Sequence, residues 1–412
     1  MTSRIQTVSD HLKGDNRARL FAKHADDVVI TCAKRTPLCK ARKGAYKDTT
    51  YDELLYATMV AAKNNIGIDP AMVGDICVGT VTTPNAPNTA RVAALAAGFP
   101  NTVPCQTINR FCSSGLMAVS TIANQIRNGE IEIGLAVGYD DLTHDNGKSF
   151  GFSDEVISTQ ETKDALLPMG WTAENVAGDF NISRERMDDW ALKSHNRAEK
   201  AQATGVFADE IAPVVVPQKQ KDGSKKYVEV TADDGIRPGT TAASLAKVRA
   251  AFPQWAPGHT TGGNASQITD GGAFVLLMTR RKAQELGLPI LAKHVATVVA
   301  GLAPRIMGIG PSLAIPKLYE RTGLGKDDVD VFEINEAFAS MMVYCIDTLG
   351  LDGDKVNVNG GAIALGHPFG CTGARQVATG LNAIKRTGGR VLVTSMCIGS
   401  GMGAAAAFIN EQ

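Results

Sequence analysis

The chain of 412 residues balances 42 basic against 42 acidic side chains and is 44% hydrophobic. Zero net charge argues against a nucleic-acid surface over the whole molecule and leaves room for a local phosphate pocket. The length and apolar content support a large core and more than one domain. No apolar run approaches the ~20 residues that span a bilayer. The eight cysteines are scattered without paired CxxC spacing, so neither a metal site nor a disulfide framework is indicated, and free thiols are expected.

At the start of the chain, Arg4, Ile5, Val8, His11 and Leu12 share one face of a helix. Residues 1–26 read as a targeting segment ahead of the fold. Residues 27–31 form a first strand, and Arg35-Thr36-Pro37 a turn. Over 51–63, Leu54, Leu55, Met59 and Val60 recur at helical spacing, and Asn64-Asn65 ends that helix. Residues 75–79 are a short apolar strand of the buried, parallel kind. A small-residue helix over 88–97, a strand over 107–109, a helix over 116–126 and a buried strand over 133–138 follow. This alternation predicts a layered α/β unit.

From about 142 to 266 charge concentrates, notably between Lys219 and Lys226. Amphipathic helices are expected over 173–181 and 184–203, and a strand pair over 211–216 and 227–230. This stretch reads as an inserted domain, and core character resumes at 268–277. The remainder repeats the plan. It has a strand at 290–300, a helix at 312–322, a strand at 329–334 in the place of 75–79, and a helix from near Glu336 to Leu349. A glycine-rich approach to His367, a helix at 373–385 and a buried strand at 390–395 complete it. Similar element order predicts an internal duplication. One half comprises 27–141 plus 267–289, the other 290–412, and 142–266 is inserted between them.

Within Asn109-Arg110-Phe111-Cys112-Ser113-Ser114-Gly115 a cysteine opens the 116–126 helix. Ser113 and Ser114 are placed to satisfy N–H groups of the first turn, and Gly115 to permit a close approach. The positive end of the helix dipole is expected to favour the thiolate, the nucleophilic form. A buried structural cysteine has the same local sequence, so the rest of the chain must separate the two readings.

Three further stretches follow strands or glycine-rich turns: Asn335-Glu336-Ala337-Phe338, Gly366-His367-Pro368, and Cys397-Ile398-Gly399-Ser400-Gly401-Met402-Gly403. In a duplicated α/β fold, loops at corresponding strand ends converge on one site. His367 is a proton acceptor for Cys112, Cys397 a second thiol to deliver or remove a proton, and Asn335 a holder for an oxyanion-site water. Taken singly, the Asn-Glu pair reads as a helix cap and the His before Pro as a turn residue. Cys32, Cys39, Cys77, Cys105, Cys345 and Cys371 read as small fillers.

These four motifs, in this order, resemble the thiolase family over residues 27–409, and within it the degradative 3-ketoacyl-CoA thiolases of peroxisomal type. The resemblance implies an α/β thiolase fold: a duplicated five-layer αβαβα core with an inserted loop domain, in a homodimer. It implies Cys112 as nucleophile, His367 as base and oxyanion donor, Cys397 as acid and base, Asn335 as holder of the oxyanion water, and the Gly399 N–H in a second oxyanion hole. It implies a CoA site in the inserted domain built from Arg237, Ser244 and Val248 at the nucleotide. Phe252, Ala265, Ser266 and Met169 would line the pantetheine tunnel. Phe338, Phe111 and Phe369 are assigned to the substrate pocket. CoA is a substrate, and no metal or other cofactor is implied. The N-terminal Arg-Ile, five residues, His-Leu spacing is similar to a type-2 peroxisomal signal read by an import receptor.

Phe111, Phe369, Trp171 and Tyr139-Asp140-Asp141-Leu142 depart from the family pattern, and the first two flank residues with implied roles. Three rival readings remain beside thiolytic cleavage: acetoacetyl-CoA synthesis by the reverse Claisen condensation, a carrier-protein condensing enzyme, and a lipid-binding paralogue. The second thiol counts against the condensing enzyme. The complete set of Cys112, Asn335, His367 and Cys397 counts against the paralogue.

Overall fold

The structure, a computed structural model, describes residues 20–145 and 151–412. The targeting pattern from Arg4 to Leu12 lies outside the described residues. In chain order the main elements of the first half are β1 (Val28–Arg35), β2 (Cys39–Lys40), α1 (Tyr51–Asn65), β3 (Asp75–Gly79), α2 (Ala86–Ala96), β4 (Cys105–Ile108), α3 (Ser114–Arg127) and β5 (Ile133–Asp140). Next come α4 (Met169–Asp179), α5 (Arg184–Ala203), the hairpin β6 (Val214–Lys219) and β7 (Lys225–Val230), and β8 (Thr269–Thr279). The second half holds β9 (Ala292–Gly301), α6 (Gly310–Thr322), β10 (Val331–Ile334), α7 (Ala339–Leu349), α8 (Phe369–Thr387), β11 (Val391–Ile398) and β12 (Met402–Asn410).

The strands run in the order β4-β3-β5-β8-β1, then β9-β12-β11-β10. In the first half β3 is parallel to β4 and β5, while β8 is antiparallel to β5 and β1. The second half repeats this. There β10 is parallel to β11 and to a bridge at Val356, while β12 is antiparallel to β11 and β9. Numbered from its own first strand, each half therefore reads third, second, fourth, fifth, first. An antiparallel contact between Val29–Ile30 and Ala292–Lys293 joins the halves.

Helices α3 and α8 pack on each other between the two sets of strands, α1 and α2 cover the outer face of the first half, and α6 covers that of the second. The result is five layers. One apolar cluster fills the space around α3 and α8, where Leu116, Val119, Ile122, Ala123 and Ile126 are buried as their spacing predicts. Two more lie beneath the outer helices. Apolar residues of 151–266 are shared among all three: Phe207 and Ile211 in the first, Val214 and Val216 in the second, Val176 and Leu245 in the third.

Element ends moved in several places. The helix expected at 173–181 begins at Met169, α8 begins at Phe369, and the hairpin strands begin at Val214 and Lys225. Strand β12 was not anticipated. Its Ala404–Ala407 run has little intrinsic strand preference. It is extended because β11 and β9 take its backbone groups on both sides, and its small residues let α6 approach, with Gly310 directly over Gly403.

Candidate active site

The duplication places chemistry at equivalent positions. Cys112 lies between β4 and α3, and His367 lies between the Val356 stretch and α8. Cys397 is on β11, the counterpart of β5. The turn before α3 is tight. Phe111 takes a left-handed backbone (φ 46°), which a non-glycine residue adopts only at a cost of roughly 1 kcal/mol or more. The Asn109 Oδ1 accepts from the Phe111 N–H at 2.9 Å, and the Phe111 carbonyl accepts from the Ser114 N–H at 2.9 Å and the Ser114 hydroxyl at 2.6 Å. The two serines therefore build the turn. Ser114 Oγ accepts from the Arg110 N–H at 2.9 Å and Ser113 Oγ donates to the Arg110 carbonyl at 2.9 Å. Neither hydroxyl caps the helix, contrary to expectation.

The Gly399 N–H and the Cys112 N–H both hydrogen-bond the Cys112 sulfur and favour its charged form, yet burial outweighs them and the thiol is pushed up to about 11. The expected net preference for thiolate is thus reversed in the resting protein: desolvation exceeds what two N–H dipoles return. The 44%-exposed Phe111 ring and the Met169 sulfur flank Gly399. Cys397 is buried and its thiol is raised well above the usual range, by burial first and then by the proximity of Cys112. Its Sγ–H points to the Met341 sulfur at 3.8 Å.

His367 is buried. Thr372 Oγ1 donates its one proton to the Pro368 carbonyl at 2.9 Å, so it accepts from His367 Nδ1 at 2.5 Å. This network assigns the Nδ1–H tautomer and makes Nε2 the acceptor. Asn335 Nδ2 donates to that Nε2 at 3.2 Å. Burial, then the charge of Arg375, lowers the imidazole to about 3. Phe369 packs edge-on against this ring at 5.3 Å.

Sequence reasoning missed three supports. Glu336 is a hub and not a helix cap. It accepts from Trp190 Nε1 at 3.1 Å, Ser194 Oγ at 2.7 Å, Asn357 Nδ2 at 2.8 Å and the Ile363 N–H at 3.1 Å, and so ties α5 to the glycine-rich approach to His367. Asp140, at the end of β5, accepts from Thr80 Oγ1, the N–H groups of Val81 and Thr82, and the Gly370 N–H at 2.6 Å, which caps α8. Thr372 sets the tautomer. The partners of Glu336 and Asp140 lie on distant segments, so no local pattern marks those two roles, whereas Thr372 stands five residues from His367 and is within reach of a local reading.

The sequence matches the family description "Thiolase, N-terminal domain" over residues 28–281 and "Thiolase, C-terminal domain" over 288–410. The chain belongs to the thiolase family. It is 48% identical, over 98% of each chain, to human peroxisomal 3-ketoacyl-CoA thiolase. It superposes on the dimeric peroxisomal thiolase of Saccharomyces cerevisiae with a TM-score of 0.88 at 46% identity, covering 96% of this chain and 100% of that one. A second structure of peroxisomal 3-ketoacyl-CoA thiolase from that yeast matches with a TM-score of 0.78 at 41% identity, over 95% of this chain and 100% of that one. It is described as five-layered, built from two core domains of identical topology. The duplicated layers found here are that thiolase fold.

The residues assigned to CoA lie partly at the surface and partly beside Cys397. Arg237 and Ser244 are exposed and Val248 is half-buried. Arg237 Nη1 donates to the Gly262 carbonyl at 2.9 Å, while Ser244 closes a capping box with Thr241. Ala265 bridges Phe338, and the Ser266 N–H donates to the Ala337 carbonyl at 3.0 Å. Ala337, Phe338, Met169 and Met341 then pack with Cys397. Phe252 lies against Gly170 beside Met169 and against Trp255, which stacks on the exposed Trp171 at 5.3 Å.

Proposed function

We propose that this chain cleaves 3-ketoacyl-CoA with CoA to acetyl-CoA and a shortened acyl-CoA, the last step of fatty-acid β-oxidation in the peroxisome. The observation that carries this reading is a buried neutral imidazole, with Nδ1–H held by Thr372 and Nε2 as the acceptor, in a chain that also brings two thiols, Cys112 and Cys397, close enough to influence each other. Cys112 gives its proton to His367 Nε2, and its sulfur attacks the 3-keto carbon. The oxyanion is held by protonated His367 Nε2 and a water on Asn335. Collapse breaks the C2–C3 bond. The electron pair goes to C2 of the departing acetyl-CoA, which takes the Cys397 proton. Cys397, now a thiolate, deprotonates incoming CoA, whose sulfur attacks the Cys112 thioester. The thioester oxyanion lies against the N–H groups of Gly399 and Cys112, and the released Cys112 recovers its proton from His367.

The exposed Arg237 suits a nucleotide phosphate, with Ser244 and Val248 at the adenine. Phe252, Ala265, Ser266 and Met169 line the pantetheine path, while Phe111, Phe338 and Phe369 bound the acyl group. The chain forms a homodimer. The relative from Saccharomyces cerevisiae is described as dimeric, and the sheet here ends at β4, whose outer edge has no partner strand among the described residues. Thiolysis across short, medium and long 3-ketoacyl-CoAs tests the reaction: release of acetyl-CoA is expected, and none across the series rejects it. Residues 1–26 act as the address read by the import receptor. Fused to a reporter, they are expected to carry it into peroxisomes, and a cytosolic reporter contradicts this.

A further inference from the structure

Behind the catalytic histidine, the central helix carries a polar stripe inside the protein. Arg375 and Gln376 are at most 1% exposed, as are Glu333 on β10, Asn335 just past its end, Thr394 on β11 and Glu210 after α5. Asn335 directly follows β10, and its N–H still donates to the Ser395 carbonyl of β11 at 2.9 Å, so it continues the extended run two residues past Glu333 and on the same face. Glu333 pairs in register with Thr394, so their side chains stand side by side. Arg375 Nη1 reaches Glu333 Oε2 at 3.1 Å, and Gln376 Nε2 donates to the Glu333 carbonyl at 2.8 Å and to that of Ser395 at 3.1 Å. Glu210 Oε1 accepts from Thr379, one turn further along α8, at 3.0 Å.

Each of these six residues has a side-chain polar atom with no protein partner: Asn335 Oδ1, Glu333 Oε1, Thr394 Oγ1, Arg375 Nε, Gln376 Oε1 and Glu210 Oε2. Buried polar atoms are otherwise nearly always paired. Four of the six are carboxyl or carboxamide oxygens; burial raises the Glu333 carboxyl to about 8, so at neutral pH it can supply one donor, which cannot satisfy the other three. A species that donates two protons and also accepts resolves all of them, and water is the one small enough.

We propose that a chain of buried waters runs through this seam from Glu210 past Glu333 and Thr394 to Asn335, and that its last water positions the catalytic carboxamide. Held at Oδ1 by a donating water, Asn335 must turn Nδ2 to His367 Nε2, which is the orientation found. Thr394 and Glu333 are then positioning residues for the thiolase chemistry. They act through Asn335 and touch no substrate. The functional clause rests on the proposed roles of Asn335 and His367; the water chain does not.

Two measurements on the full-length protein test this. A high-resolution crystal structure should show ordered water within about 3.2 Å of Asn335 Oδ1, Glu333 Oε1 and Thr394 Oγ1. A dry seam, or a direct contact between the Glu333 and Glu210 carboxyl groups, overturns the proposal. Thr394→Val removes one hydroxyl at constant shape. It should lower kcat for thiolysis about tenfold, with KM for CoA within about twofold, and Thr394→Ser should restore the rate. Wild-type kcat in Thr394→Val overturns the positioning role. If Thr394→Val does not fold, Thr394→Ser and the wild-type waters still decide. An inactive wild-type enzyme would instead reject the thiolysis reading, leaving the crystallographic result to judge the seam.

Discussion

At Cys112 two influences compete for one proton: burial and two backbone N–H groups. Burial wins in the resting protein and pushes the thiol up to about 11, while burial and Arg375 hold His367 down at about 3. Both groups are thus neutral across the physiological range, and the ion pair of many cysteine enzymes is absent until substrate arrives. With a pKa three units above ambient, roughly one sulfur in a thousand is thiolate near pH 8. Alkylation of Cys112 in the free enzyme by iodoacetamide is therefore expected to climb about tenfold per pH unit from about pH 7 to 10. A rate already level from about pH 7 would show a standing thiolate–imidazolium pair and contradict this balance. The dipole at a helix start was visible in the sequence. The desolvation that overrules it comes from segments far apart in the chain, such as Gly399 with Met169 beside it, which no local window contains.

Among the elements, the contact between α3 and α8 sets where nucleophile and base stand relative to each other. The helices meet through glycines: a methyl group on Gly115 would collide with the Gly370 carbonyl, and one on Gly373 with the Leu116 backbone nitrogen. Because the obstacle is backbone, a side-chain shift does not relieve it. Gly373→Ala is expected to destabilise the protein by about 3 kcal/mol or more and to slow Cys112 acylation in whatever fraction stays folded. A urea midpoint unchanged from wild type would show that the helices separate freely and that this contact does not set the geometry. Element identity was largely legible, because α3 and the buried strands carry their periodicity in their own residues. Strand β12 was not, since its alanines are extended by neighbours and not by preference. The helix supports were also hidden. Asp140 reaches Gly370 across 230 positions and Glu336 reaches Ser194 across 142, so neither role has a sequence neighbour to announce it.

For the whole molecule, the duplication is the fact from which the site follows. Two copies of one strand order, joined edge to edge through β1 and β9, bring the start of α3, the start of α8 and the end of β11 to one place. One copy carries Cys112, the proposed nucleophile, and the other His367 and Cys397, the proposed base and second thiol. The similar order of elements in the two halves was readable from pattern alone. The shared strand order, including the Val356 bridge that stands in for a full third strand, required the pairing itself. The inserted segment also differs from an independent lobe, because its apolar residues fill clusters that belong to the layered core. Covalent catalysis at Cys112 is tested by mass spectrometry of the protein after brief exposure to acetoacetyl-CoA without free CoA. One acetyl group is predicted, confined to the peptide containing Cys112, discharged as acetyl-CoA when CoA is added, and missing in Cys112→Ala. An acetyl group on another residue, or undiminished labelling in Cys112→Ala, would contradict it.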